Sequence, residues 1–324
     1  MLKAKGISKT FVPSLGLLGE IRRFFHLDVK SGVKAVRGID LTVSPGEILG
    51  IVGESGSGKS TLGRLLSNLI PPDQGEILFQ DKNPRNFTSR ERLLFCRKVQ
   101  FMFQDPASSL NPRLTASKTL LEGLVIHQLG TRAFRKQRVL ELLEEVGLDP
   151  SFGNRYPHQF SGGQRQRLSL ARSLSLNPDI LIADEPSSAL DVSVQAQIIN
   201  LLLEEKNRRG LTLVIISHDL ALVSHIANRV AIMYGGLFME LIPKELMGTL
   251  NHHPYVKALW ASAEYHGDSN YNLILEGEPP DPENPPPGCP FHPRCPEAKD
   301  ICQEEVPPYL ERSPGHFLAC HLRD

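Results

Sequence analysis

The chain has 324 residues, enough for one large domain with an appendage. Lys+Arg and Asp+Glu balance at 36 each, so the basic excess of a dedicated nucleic-acid binder is missing. No apolar run reaches the roughly 18 residues of a membrane-spanning helix, and Met1 to Phe11 holds no signal-like hydrophobic stretch. A soluble, intracellular protein is the expectation.

Strand-forming runs come first: Lys34 to Val43, Glu47 to Val52 and Glu76 to Gln80, with Val99 to Phe103 a further candidate. After the second run stands Gly53-Glu54-Ser55-Gly56-Ser57-Gly58-Lys59-Ser60, a full match to G-x-x-x-x-G-K-[ST]. It follows a buried strand and precedes a helix expected from Thr61 to Ile70, stopped by Pro71-Pro72. Glycines let successive amide N–H groups, through Thr61, point at phosphate oxygens. Lys59 then reaches the outer phosphates, Ser60 can ligate Mg²⁺, and the helix dipole favours the same anion.

From Ala116 to Val146 the periodicity is helical. Arg132, Arg135, Lys136 and Arg138 precede Glu141, Glu144 and Glu145, a pattern expected on a solvated helix face. Phe160-Ser161-Gly162-Gly163-Gln164-Arg165 then leads into a helix. Ser161 is a good N-cap and the two glycines bare the backbone, giving a second anion grip. Buried strands return at Asp179 to Ala183 and Leu211 to Ser217, with a helix at about Val192 to Arg209 between them. The first of these ends in Asp184 and Glu185, whose side chains point to opposite faces. Asp184 is suited to hold Mg²⁺, and Glu185 to polarise a water for attack on a γ-phosphorus. The pattern is α/β: a P-loop NTPase (RecA-like) core with a β-rich N-terminal subdomain, a mostly helical insertion at about 105–175, and a C-terminal Cys/Pro-rich extension. The expected domains are 1–248, for ATP binding, and 249–324, for the extension.

With these residues in place the chain resembles the ATP-binding subunits of ABC transporters. Phe160 to Gln164 is similar to the signature motif, with Ser161, Gly162, Gly163 and Gln164 expected to bind nucleotide held by a neighbouring copy. Gln104 resembles the Q-loop glutamine, which joins Ser60 and Asp184 around Mg²⁺. Ser188-Ala189-Leu190-Asp191 resembles the D-loop, His218 the switch histidine, and Phe11 the aromatic that stacks on adenine. The resemblance implies an ATPase with Glu185, His218, Lys59 and Gln104 as catalytic groups. Phe103 to Thr115, His253-Pro254-Tyr255 and the Gly288 to Pro296 segment are similar to the oligopeptide/dipeptide (peptide/nickel) importer branch. That branch implies three kinds of partner: a second ATP-binding subunit, identical or homologous, two transmembrane permease subunits, and indirectly a solute-binding protein. It implies no nucleic acid, and residence on the cytoplasmic face of the cell membrane. The stretch at about 13–33, including Leu17 to Leu27, reads as a surface insertion folded onto its own domain, with contact to a membrane surface or a permease loop through Arg22-Arg23-Phe24-Phe25 as the alternative. The rival reading is a soluble ABC-type ATPase of nucleic-acid repair or translation; such proteins often carry paired cassettes or long coiled coils, neither of which this chain has.

The last region is Pro-rich from Glu278 to Pro290 and expected to have little core of its own. Cys289, Cys295, Cys302 and Cys320 read C-x₅-C-x₆-C-x₁₇-C, a poor spacing for zinc. Four thiolates can hold an iron–sulfur cluster, and the branch resemblance implies a 4Fe-4S candidate; reduced thiols in a docking extension are the alternative. His292, His316 and His321 read as surface histidines, and Cys96 as packing.

Overall fold

In the computed structural model the described residues are 1–12, 32–187, 191–248, 252–264 and 277–323. Most of the insertion at 13–33 lies outside them, as do Ser188, Ala189 and Leu190. The elements in chain order are β1 (Leu2–Phe11), β2 (Val33–Val43), β3 (Ile48–Val52), α1 (Lys59–Leu66), β4 (Gln74–Phe79), α2 (Ser89–Lys98), β5 (Val99–Met102), α3 (Ala116–Ile126), α4 (Arg132–Glu145), α5 (Gly162–Leu174), β6 (Ile180–Asp184), α6 (Val192–Arg209), β7 (Thr212–Ser217), α7 (Leu220–Ile226), β8 (Arg229–Tyr234), β9 (Leu237–Pro243), α8 (Pro254–Glu264), β10 (Leu310–Ser313) and β11 (His316–Leu318), with short helical turns between some of them. They fall into two compact units. Among the described residues, no helix is long and apolar enough to cross a membrane.

The first unit comprises Met1–Leu2, Val43–Ile48 and Leu78–Ile216. In it β5, β6 and β7 run parallel, with Val99 opposite Ile180 and Ile180 opposite Thr212. Every residue of β6 and β7 is buried, which explains their unbroken apolar sequence: parallel strands are covered on both faces. Between β5 and β6 the described residues are helical or irregular, without a strand. The expected helical run from Ala116 to Val146 is two helices. α3 is capped by Thr115 and α4 by Thr131, and the break between them holds Gly130 at φ 65°, a left-handed value that favours glycine.

The charges on α4 do more than solvate a face. Arg138 pairs with Glu141 at 3.2 Å and with Glu145 at 2.7 Å. Glu145, mostly buried, also takes Arg208 at 3.0 Å and Arg209 at 2.6 Å from α6. Arg209 and Arg208 in turn hold the buried Glu205. Burial pushes the Glu145 carboxyl up, but its arginine partners outweigh that and hold it below the ordinary glutamate value. This network ties α4 to α6.

The second unit comprises Lys3–Thr42, Leu49–Ile77 and Ser217–Asp324. β1, β2 and β4, which lie largely within it, form a sheet in the order β2-β1-β4. β3 runs parallel to β8, with Leu49 opposite Arg229. β8 and β9 form an antiparallel hairpin that turns at Gly235-Gly236. The tail extends this sheet: β11 pairs with β9, and β10 with β11. Tyr255, Phe291 and Leu318 are fully buried, so the extension shares the unit's core. β1, β8 to β11, α2 and α7 were not expected from the sequence. α1 stops at Leu66, four residues short of the expected Ile70, because Asn68 takes a left-handed φ of 54°.

Candidate functional site

The phosphate-loop residues lie in the second unit. β3 delivers the chain, fully buried, to Gly53. A Cβ on Gly53 would stand 2.1 Å from the Met233 carbonyl oxygen, and one on Gly58 2.0 Å from the Ala35 carbonyl oxygen. Gly58 also has φ 103°. Both positions require glycine because backbone meets backbone there. The Lys59 ammonium is buried and donates to the Gly53 and Glu54 carbonyls, each at 2.7 Å. Ser57 is buried, while Ser55 and Gly56 are exposed and Glu54, Ser60 and Thr61 half-buried. Phe11 ends β1 with 42% of its surface exposed, so core packing does not account for it; Lys9 Nζ lies 5.8 Å from its ring centre. His218, exposed, directly follows β7. Its neighbour Asp219 caps α7 by accepting from the Leu222 N–H at 2.9 Å.

The carboxylate and glutamine candidates lie in the first unit. Asp184 ends β6, only 1% exposed. Glu185 follows with φ 43°, a left-handed value that costs a non-glycine residue on the order of 1–3 kcal/mol. Its N–H donates to the Ile216 carbonyl at 2.9 Å, which holds that conformation. Gln104 Nε2 donates to Glu185 Oε2 at 2.8 Å, so the structure brings these two candidates together. Ser161 caps α5 in a reciprocal box: its hydroxyl accepts from the Gln164 N–H, and Gln164 Oε1 accepts from the Ser161 N–H. Ser161 and Gly162 are exposed at that helix start. Asp191 is exposed before α6 and makes no side-chain cap. The rest of the D-loop candidate, Ser188 to Leu190, lies outside the described residues.

One residue of this region escaped sequence reasoning. Gln166, 2% exposed on α5, donates through Nε2 to the Pro186 carbonyl at 2.5 Å. It ties the helix that starts at Ser161 to the segment carrying Glu185. Its signal in the sequence is weak: a polar residue on the apolar face of a helix.

In the tail, Cys289, Cys302 and Cys320 are buried and Cys295 is half-buried. Burial pushes the Cys289 thiol up to about 11, and charge on Cys302, Cys320 and Cys295 adds to the rise. The Cys289 N–H donates to the Cys302 carbonyl at 2.9 Å. Yet among the described residues no group of three or more His, Cys, Asp or Glu side chains stands where it could hold a metal ion. The cysteines are therefore within reach of each other's charge without forming a ligand set, and the 4Fe-4S expectation is not supported by their placement. Two other expectations are corrected. Cys96 is exposed, because α2 turns it outward. His316 is buried, with Nε2 2.8 Å from Glu240 Oε1; a 0%-exposed carboxylate requires such a partner.

The ABC transporter family matches residues 36–188, and the C-terminal region of oligopeptide/dipeptide transporters matches residues 239–302. The putative oligopeptide transport ATP-binding protein YkfD of Bacillus subtilis is 47% identical over 310 residues, covering 94% of each chain. The probable peptide ABC transporter ATP-binding protein y4tS of Sinorhizobium fredii is 48% identical over 293 residues, covering 90% of this chain and 83% of its own. Among solved structures, the ATP-binding cassette MJ0796, a dimer in a post-hydrolysis state bound to ADP and Pi, superposes with a TM-score of 0.64 at 30% identity, covering 75% of this chain and 99% of its own. Motifs, fold and relatives converge: the chain is an ATP-hydrolysing member of the ABC transporter ATP-binding proteins, in the oligopeptide/dipeptide transporter branch.

Proposed function

We propose that this ATPase powers the import of di- or oligopeptides, or a related small solute, from the cytoplasmic face of the cell membrane. The peptide cargo rests on the names of the relatives. The residue roles rest on chemistry. Lys59 and the loop amides neutralise the β- and γ-phosphates, and Phe11 stacks on the base. Ser60 and Asp184, joined by Gln104, would hold Mg²⁺ through hard oxygen donors, and the ion would neutralise charge on the phosphates. Glu185 activates the attacking water, and His218 contacts the γ-phosphate and positions that water. Ser161, Gly162, Gly163, Gln164 and Asp191 serve the nucleotide of a second ATP-binding subunit, so that ATP joins the two. Cleavage removes the charge both grips need, and the opening shifts two permease subunits between states. Residues 1–248 carry this chemistry and 249–324 form the branch-specific extension.

The observation that supports the proposal is the Gln104–Glu185 hydrogen bond, with Asp184 buried next in the chain: the side chain proposed as the base is in contact with the glutamine proposed to join Mg²⁺. Glu185→Gln in the assembled importer is expected to lower ATP turnover by about 10²-fold or more while ATP stays bound. Near-normal turnover would contradict the assignment of the base.

A finer element of the proposal concerns the tail thiols as cluster ligands. In its favour four thiols share one packed segment; against it stands their failure to form a metal-holding group. Purification without oxygen decides. Brown, iron-containing protein supports the cluster, and colourless, iron-free protein overturns it.

A further inference from the structure

We propose that Arg294 is a positioning residue for the phosphate-binding loop: it holds Glu54 and so sets how tightly the loop takes a nucleoside triphosphate. This rests on the reading of Gly53 to Ser60 as the nucleotide loop.

Arg294 Nη1 donates to Glu54 Oε2 at 2.8 Å and to the Tyr234 hydroxyl at 3.1 Å. The side chains of Arg294 and Glu54 are 7% and 20% exposed. An ion pair so screened from water is not the near-neutral surface kind. The tail makes a second hold on the same residue. The Glu54 N–H donates to the Tyr255 hydroxyl at 2.9 Å, so that amide is already satisfied. The Glu54 carbonyl accepts from Lys59 Nζ at 2.7 Å. All three polar groups of residue 54 are thus engaged: side chain and amide by the extension, carbonyl by the lysine that meets the phosphates. A shift of residue 54 displaces a partner of Lys59.

The hold has a firm base. Tyr234, Tyr255 and Phe291 pack ring on ring, with centres 4.6 to 5.4 Å apart, and Arg294 lies in the turn that begins at Phe291. Glu54 to Ser57 and Glu278 to Pro282 line one cavity, and the Lys34 N–H donates to the Pro282 carbonyl at 3.0 Å. Gly56 and Gly58 give the loop wide backbone freedom in isolation. Fixing its first turn from outside lowers the ordering cost of nucleotide binding.

The test is steady-state ATP hydrolysis by the assembled importer carrying Arg294→Gln, Glu54→Gln, both together, or Arg294→Lys. Either single change is expected to raise KM for ATP by about tenfold, the scale of one charged hydrogen bond. For Arg294→Gln, kcat should stay within about twofold, because Glu185 and His218, which act on the attacking water, are untouched. The double variant should be no worse than either single one, and Arg294→Lys should recover part of the loss. An unchanged KM, a fall in kcat alone, or additive losses overturns the proposal. If Arg294→Gln does not assemble, Glu54→Gln decides, since it leaves the ring cluster whole. A wild-type complex without ATPase activity would count against the loop assignment instead.

Discussion

Glu185 adopts a backbone conformation unfavourable to any residue with a Cβ. The cost is met by three fixed points: its own N–H on Ile216, the Gln104 amide on its carboxylate, and Gln166 on the next carbonyl. Strain of this kind persists where surrounding structure over-determines it. The third fixed point gives a prediction. Gln166→Leu keeps the volume but leaves the Pro186 carbonyl buried without its donor, a loss of about 1–3 kcal/mol. Chemical denaturation should show that loss, and kcat should fall because Pro186 adjoins Glu185. Wild-type stability and turnover in the variant would mean that the bond carries nothing. Gln104 and Glu185 were legible in the sequence because each sits in a short motif. Gln166 was not, since its partner lies 20 residues away. Glu145 was misread for the same reason: local spacing shows Arg138 but not Arg208 and Arg209.

Elements follow local rules where the chain is self-sufficient. α6 was expected at its observed bounds because its apolar spacing ends at Gly210, whose φ of 66° stops the helix. α8 begins differently. His253, 2% exposed, presents Nδ1 as acceptor to the Tyr255 N–H at 3.1 Å, a capping role that needs the neutral ring. Burial drops the His253 pKa to about 4, with Glu240 opposing. The unfolded chain, near the ordinary 6.5, therefore binds more protons between those values. Stability is complete above about pH 6.5 and declines as pH falls toward 4, by roughly 3 kcal/mol from this group. Glu240 acts in the same direction at lower pH. Burial raises its pKa, but His252, His316 and the His253 N–H hold it below the ordinary value, so its contribution disappears only on further acidification. His253→Asn keeps a capping acceptor and should flatten the thermal-unfolding slope between pH 6.5 and 4. An identical slope in that variant would reassign the pH dependence to other groups.

At the scale of the whole molecule the extension is a structural part of the second unit. Removing 249–324 would strip Tyr255, Phe291 and Leu318 from the core and leave β9 without β11. Each large apolar side chain contributes about 1.5–3 kcal/mol by burial, and a bared strand edge invites association. The truncated chain is expected to aggregate or to melt well below the full chain in a thermal scan. A soluble truncation with the full chain's melting temperature would show that the shared core is dispensable.

The sequence by itself determined the family and its ATP hydrolysis. Phosphate binding, metal binding and water activation each need particular groups at fixed short spacings, and such spacings survive in one dimension. It determined the buried parallel strands too, because covering both faces leaves an unbroken apolar run. The tertiary structure alone decided the rest: the pairing of β9 with β11, the carboxylate of Glu240 between His252 and His316, and the reach of Arg294 to a loop 240 residues earlier. These are single contacts between distant segments. A lone charge or ring in a proline-rich tail has no period and no motif, so its partner is fixed only when the chain closes on itself.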